Sequence, residues 1–333
     1  MSDYALTRDV WNTSPHAFPE AGSIEEQGRA LLDWAILAPS SHNSQPWAFE
    51  VEDDAIHVRV DESRWLKVAD ADRRELHISI GCAVENLRIA AACFGLSPQV
   101  DYAVEGTSPV VTIHLKSDQT RDSDRHRTLF SAITDRRSHR GKFKDRTVSW
   151  KTVDRLMAAS TDADVELVLI RDREVLDAIA ELQKSADERL MDDRSYREEL
   201  GEWIGAGALG DGWAKAKIGQ WVVKNFDLGS REGANNAQLL RDAPLVGILT
   251  TWDEDPTTQV RVGELYERLA LVATSDGAAT HPMSQILEVP DFHDDLRQAA
   301  DLKEVRPQHM FRIGYPRQEG DHTPRWPVER FLV

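Results

Sequence analysis

Ala38-Pro39-Ser40-Ser41-His42-Asn43-Ser44-Gln45-Pro46-Trp47 is the stretch on which the reading of this chain turns. Upstream, between Ile24 and Leu37, the apolar residues Leu31, Leu32, Trp34, Ala35 and Leu37 recur at helical spacing and predict a core-facing helix. Downstream, Trp47 to Val51 alternates as a half-buried strand does. The helix is expected to stop at Ala38-Pro39, because a residue that precedes proline is pushed out of the α region. What remains between helix and strand is a polar loop of serine hydroxyls, two carboxamides and an imidazole, flanked by prolines. Asn and Gln both donate and accept, which suits a planar ligand whose edge alternates the two. By composition alone the loop is equally a plain helix-to-strand turn, since Ser, Asn and Pro favour turns. The order of its residues carries more.

That order resembles the A-P-S-x-x-N-x-Q-P-W loop of the nitroreductase family, flavin proteins in which it follows the first long helix. In that family the loop approaches FMN from one subunit of a homodimer, and a basic R-x-S-x-R/K segment approaches from the other. The resemblance implies that Pro39, Ser40, Ser41, Asn43 and Gln45 contact FMN. It also implies an α+β fold, a mixed β-sheet flanked by helices.

Composition narrows the rest. The chain has 333 residues, 41% of them hydrophobic, enough for one large domain or two ordinary ones. No apolar run is long enough to span a bilayer, and Met1 to Glu20 lacks a basic-then-apolar signal pattern. A cytoplasmic protein is the expectation. The formal net charge of −17 repels nucleic acid and anionic membranes, so neither is an expected partner. An anionic cofactor would need a locally basic pocket. Cys82 and Cys93 stand eleven residues apart in one predicted helix, too far for a disulfide, and read as packing residues. No H-E-x-x-H or C-x-x-C spacing supports a metal site, and no G-x-G-x-x-G supports a separate dinucleotide domain.

An internal repeat organises the chain. Gly81, Glu85, Leu87, Ala91 and Gly95 recur as Gly263, Glu267, Leu269, Ala273 and Gly277 at one constant offset, each in an apolar helix. We therefore expect an irregular arm (1–22), a first half (23–127) and a second half (128–333), two half-domains duplicated in one chain. The halves are complementary. The first has the signature loop but no basic segment before its first helix. The second has Arg136-Arg137-Ser138-His139-Arg140, while its loop counterpart, Ala159 to Asp164, lacks both carboxamides. One complete site arises when the halves face each other. This is similar to the Acg-like branch of the family, fused pseudo-dimers with one FMN site. Asp70-Ala71-Asp72-Arg73-Arg74-Glu75, His281-Pro282-Met283-Ser284-Gln285 and Arg325-Trp326-Pro327 fit that branch.

The resemblance assigns roles. Arg136 and Ser138, with Arg137 between them, would hold the phosphate through charge-assisted bonds, and Arg325 would be a second phosphate contact. Arg140 would lie nearer the pyrimidine edge, where a cation stabilises the charge of reduced flavin. Ser97 and Gln99, just after the long helix, would lie near the flavin N5. No catalytic side chain is expected, because the cofactor carries the hydride chemistry, and NAD(P)H would bind transiently as electron donor. His42 fills a variable slot of the loop. Residues 192–236, with Trp203, Ile204, Trp213, Trp221 and Phe226, read as a lid insertion. The implied activity is an FMN-dependent NAD(P)H oxidoreductase acting on a nitroaromatic, quinone or similar flat small molecule. If the lid stays closed, the alternative is a silent FMN-sequestering protein; a flavin-free scaffold ranks below both. A monomer is expected, since fusion has already buried the usual dimer interface.

Overall fold

A computed structural model of the chain describes residues 5–118, 124–208, 219–220, 223 and 229–333. Helix α1 (Ile24–Ala35) starts on a capping box, in which Ser23 and Glu26 satisfy each other's backbone N–H groups. The hairpin β1 (Trp47–Glu52) and β2 (Ala55–Val60) follows, then the long helix α2 (Arg74–Cys93), β3 (Leu96–Glu105) and β4 (Ser108–Ser117). The second half repeats this order after α3 (Asp124–Asp135). It runs through α4 (Trp150–Ala159), β5 (Glu166–Ile170), β6 (Leu245–Thr251), α8 (Pro256–Ser275), β7 (Ala279–Pro282) and β8 (Arg306–Gly314). Between β5 and β6 lie α5 (Arg173–Asp192), α6 (Arg194–Gly205) and α7 (Gly229–Arg241); α9 (His293–Ala299) precedes β8.

Two sheets result, ordered β1-β2-β4-β3 and β5-β6-β8-β7, the same arrangement twice. The α+β fold with duplicated half-domains is as expected; only the mixed strand direction needs correction. Every pairing between named strands is antiparallel. Parallel pairing survives as single bridges, Phe49 with Leu332 and Ser138 with Thr280, where the tail and the basic segment dock on strands. Strands β3 and β7 escape a periodicity reading for a physical reason. Both are sheet edges; β3 is largely exposed after Leu96, and β7 is four residues long and ends in proline. Helix α3 runs across the expected boundary between residues 127 and 128.

The halves meet where α2 crosses α8. A Cβ on Gly81 would lie 1.9 Å from the Val260 carbonyl oxygen, and one on Gly263 would lie 2.0 Å from that of Ile78. These two contacts exchange under the repeat offset, so the crossing is two-fold symmetric and only glycine fits at its centre. Around it, Arg268 on α8 makes a bidentate pair with Glu85 on α2, and Arg88 on α2 reaches back to Glu264 on α8. Helix α2 is also the one described helix long and apolar enough to cross a membrane; it lies buried at this interface.

Gly81→Ala should therefore lower the unfolding free energy by roughly 3 kcal/mol in urea titration. Gly320→Ala, which meets open space, should change it by less than about 0.5 kcal/mol. A second expectation concerns pH. Burial lifts the Glu264 carboxyl to about 7, against the opposing Arg88 charge and with Glu85 adding to the rise. The folded state thus holds this proton more tightly than the unfolded chain. The associated stability is complete below about pH 4.5 and is lost as pH rises through about 7. Glu264→Gln, measured by denaturation from pH 5 to 8, should flatten that decline by up to about 3 kcal/mol.

Candidate functional site

The site begins where α1 ends. Pro39 has no N–H and stops the helix, leaving the carbonyls of Ile36, Leu37 and Ala38 without helical donors. Two buried arginines from the second half supply them. Arg325 donates from Nε to Ile36 O (3.1 Å) and from Nη2 to Ala38 O (3.1 Å), and Arg136 donates from Nη2 to Leu37 O (2.8 Å). Their positive charge also complements the negative end of the helix dipole. Arg136 is held in turn by Glu267 on α8, 3.1 Å from its Nε.

Beyond the cap the loop is strained and tied down. His42, Asn43 and Gln45 have φ of 48°, 56° and 53°, a left-handed region that costs non-glycine residues of order 1 kcal/mol or more each. Asn43 offsets this by donating from Nδ2 to Ala208 O and Pro324 O, both 2.8 Å, and by accepting from Arg325 at Oδ1. Gln45 donates to Asn43 O and accepts from the Trp326 N–H. These bonds aim Ser40, Ser41 and His42 at a cavity, and the buried His42 Nδ1 has no partner among the described residues. Burial, then the nearby Arg140 charge, depress the His42 imidazole to about 4, so it is neutral near pH 7.

The opposing wall comes from the second half. The Ser138 segment lies along β7, with the His139 N–H donating to Thr280 O (2.9 Å). Arg312 locks it by donating from Nη2 to the carbonyls of His139 and Gly141, and from Nε to His281 Nδ1 (3.0 Å). Burial first, then the Arg312 charge, push the His281 imidazole well below its usual range. Ser138 and Arg140 thereby face Ser40 and Ser41 across a cavity of about 390 Å³. Tyr196, Leu200 and Ile204 of α6 and Asn235 and Asn236 of α7 cover it. Ser138 and Arg140 also line a neighbouring cleft of about 870 Å³ together with Arg137, Lys142 and Arg317.

The sequence pattern of the nitroreductase family matches residues 133–315, more than half of the chain. The chain belongs to the nitroreductase family. It is one of a family of oxidoreductases that act on small molecules. A Mycobacterium tuberculosis protein bearing the name NAD(P)H nitroreductase acg is 26% identical over 321 residues, covering 90% of this chain and 93% of the relative. Among solved structures, the FMN-dependent nitroreductase NfnB of Mycobacterium smegmatis, in complex with NADPH, is 19% identical with a TM-score of 0.43. It is covered over 97% of its length by 62% of this chain. Iodotyrosine deiodinase bound to FMN and 3-iodo-L-tyrosine is 14% identical with a TM-score of 0.43, over 60% of this chain and 96% of that one.

Within this member of the nitroreductase family the residues singled out by sequence fall into four groups. Pro39, Ser40, Ser41, Ser138 and Arg140 are brought together at the cavity. Asn43, Gln45, Arg136 and Arg325 are buried behind it, their polar groups bonded to backbone and to one another; α1's unpaired carbonyls claim the two arginines expected at a phosphate. Arg137 lines the basic cleft, 3.6 Å from Glu319. Ser97 and Gln99 lie elsewhere, on the edge strand β3, with Ser97 in a separate cleft beside Glu85 and Arg88. Their repeat counterparts, Ala279 and His281, occupy β7, and His281 does line the cavity. His281 belongs to the His281–Gln285 motif already quoted, as Glu75 belongs to Asp70–Glu75, though neither was given a site role. Sequence reasoning passed over Tyr266, Glu288 and His309, which line the same cavity. Of the insertion's aromatic residues, Trp203 packs on the second-half core, while Trp213, Trp221 and Phe226 lie outside the described residues.

Arg325→Ala should strip two donors from the end of α1 and cost about 2–4 kcal/mol by thermal or urea unfolding. Arg325→Lys should recover little of it, because one ammonium group cannot reproduce the guanidinium's separated donors.

Proposed function

We propose that this protein binds FMN between its halves and transfers electrons from NAD(P)H to a small flat acceptor, a nitroaromatic or quinone. The observation that carries the reading is the pairing of Ser40 and Ser41 from the first half with Ser138 and Arg140 from the second across one cavity. The side chains present fit a flavin. The volume lies within the range of ligand cavities, roughly 300–1,000 Å³. Ile78 and Leu239 offer apolar surface for a ring system, and the serine hydroxyls and the His42 Nδ1, which meets no partner among the described residues, offer polar contacts to its edge. Arg140 supplies a cation, and the cleft that shares Ser138 and Arg140 adds Arg137, Lys142 and Arg317, set among Asp135, Glu319 and Asp321, for a phosphate end. Bound FMN supplies the hydride chemistry. The chain's share is to orient the ring through Ser40, Ser41 and Ser138, to stabilise negative charge through Arg140, and to keep water out beneath α6 and α7.

That cover supports a second reading. Tyr196 is buried and lines the cavity with Leu200 and Ile204, so a cover that never opens would leave FMN stored rather than turned over. One measurement separates the two: the visible spectrum of FMN-loaded protein, taken anaerobically before and after NADPH. Prompt bleaching is expected of a reductase, whereas retained, oxidised flavin would establish storage. Arg140→Ala should weaken FMN retention by about tenfold or more, read by equilibrium dialysis; unchanged retention would remove Arg140 from the site.

A further inference from the structure

One wall of the cavity holds a side chain with no task in flavin binding. His309 on β8 is 2% exposed and lines the cavity. Its Nδ1 lies 3.2 Å from Ser284 Oγ and 3.4 Å from Glu75 Oε1, while its Nε2 is buried and meets no partner among the described residues. The neighbours dictate where the ring proton sits. The Ser284 hydroxyl accepts from the Met310 N–H and reaches the Met310 carbonyl, so it can place its proton there and turn a lone pair to Nδ1. Glu75 is a carboxylate. Burial would raise it, but Arg74 and then His309 outweigh burial and hold it at about 2. Two acceptors at Nδ1 require a proton there, which leaves Nε2 as the atom that can take up or release one.

The support extends to the Asp70–Glu75 motif. Arg74 Nη1 donates to Glu75 Oε1 and to the Gln308 carbonyl, the residue before His309. Asp70 accepts from the Glu75 and Leu76 N–H groups at 2.9 and 2.8 Å, fixing the start of α2. The edge of the Tyr266 ring packs against the imidazole, with centroids 4.4 Å apart. A buried imidazole held at one nitrogen by an ionised carboxylate, with the other nitrogen unpartnered at a ligand cavity, is the arrangement of a general acid–base.

We propose that His309 passes a proton, through Nε2, to the acceptor bound in the cavity, with Glu75 and Arg74 as positioning residues. The inference rests on the reductase reading for its electrons. Reduction of a quinone to a hydroquinone takes one hydride, which flavin bound in the cavity would supply, and one proton. The Nε2–H bond of the imidazolium breaks, its electron pair stays on the ring as the Nε2 lone pair, and the proton bonds to the quinone oxygen. The ring regains a proton from water. The favoured substrates are therefore acceptors that must be protonated as they are reduced.

The test compares two acceptors in FMN-loaded protein, 2-methyl-1,4-naphthoquinone, which takes up protons, and ferricyanide, which takes only electrons. His309→Gln should lower kcat/KM for the quinone at least tenfold while changing that for ferricyanide less than twofold. Glu75→Gln should show the same asymmetry at smaller size. Equal losses with both acceptors, or no loss with either, would overturn the proposal. A wild-type protein that reduces neither acceptor would sink the reductase reading instead. A readout independent of turnover remains in that case, and also if the variants do not fold. Nitrogen-15 spectra of the histidine rings, with Ser284→Ala identifying the His309 signal, should show the neutral ring protonated on Nδ1. A neutral ring protonated on Nε2 would end the assignment.

Discussion

The carbonyl oxygens of Ile36, Leu37 and Ala38 are the constraint from which the site follows. Proline at position 39 ends α1 inside the protein, where unpaired carbonyls would each cost on the order of 1–3 kcal/mol. The guanidinium groups of Arg136 and Arg325 satisfy them. Because both arginines belong to the second half and the carbonyls to the first, capping one helix also registers the halves. The loop that starts at Pro39 is thereby placed opposite the Ser138–Arg140 segment. Strain at His42, Asn43 and Gln45 is sustained because the same arginine, through Asn43, anchors the loop from behind.

The α2–α8 crossing supplies the other half of the geometry. Glycines at its centre bring the two helix backbones into contact, so the sheets stand at a fixed separation on either side. A cavity bordered by α2, by the turn after β7 and by β8 depends on that separation. His309 meets Glu75 only because β8 of one half reaches the start of α2 of the other. Placement of a proton carrier and placement of a ligand are thus consequences of one interface.

Much of this could be read from the chain. The signature loop, its hairpin, both long helices and the duplication are local or periodic features, and period and order survive without knowledge of tertiary contacts. The helix-capping roles of Arg136 and Arg325 were not legible, because a basic residue near a signature loop fits a phosphate contact and a helix cap equally well until the carbonyls are located. His309 was invisible for the opposite reason. It stands in β8 between Gln308 and Met310, outside any quoted motif, and its partners lie 234 residues away on α2 and 25 residues away in the turn after β7. Ser97 and Gln99 were placed at the flavin because the repeat was used to find helices and not carried one strand further.

Duplication explains why, among the described residues, the counterpart of this cavity is filled. The repeat offset carries Ser79 and Cys82, which line the cavity, to Arg261 and Glu264. At that counterpart position Arg261 pairs with Asp164, from the segment that replaces the signature loop, and its guanidinium lies 5.2 Å from the centre of the Tyr102 ring. The Tyr102 hydroxyl donates to Glu264 Oε1 at 2.6 Å, and Arg88 closes on the other oxygen. Large side chains and their mutual ion pairs thus occupy the symmetry-related space, where the working half keeps a serine and a cysteine. In a homodimer any residue that filled one site would fill both. Joining the halves in one chain removes that coupling, so one position can be packed for stability while the other keeps its strained loop, its neutral histidines and its open volume.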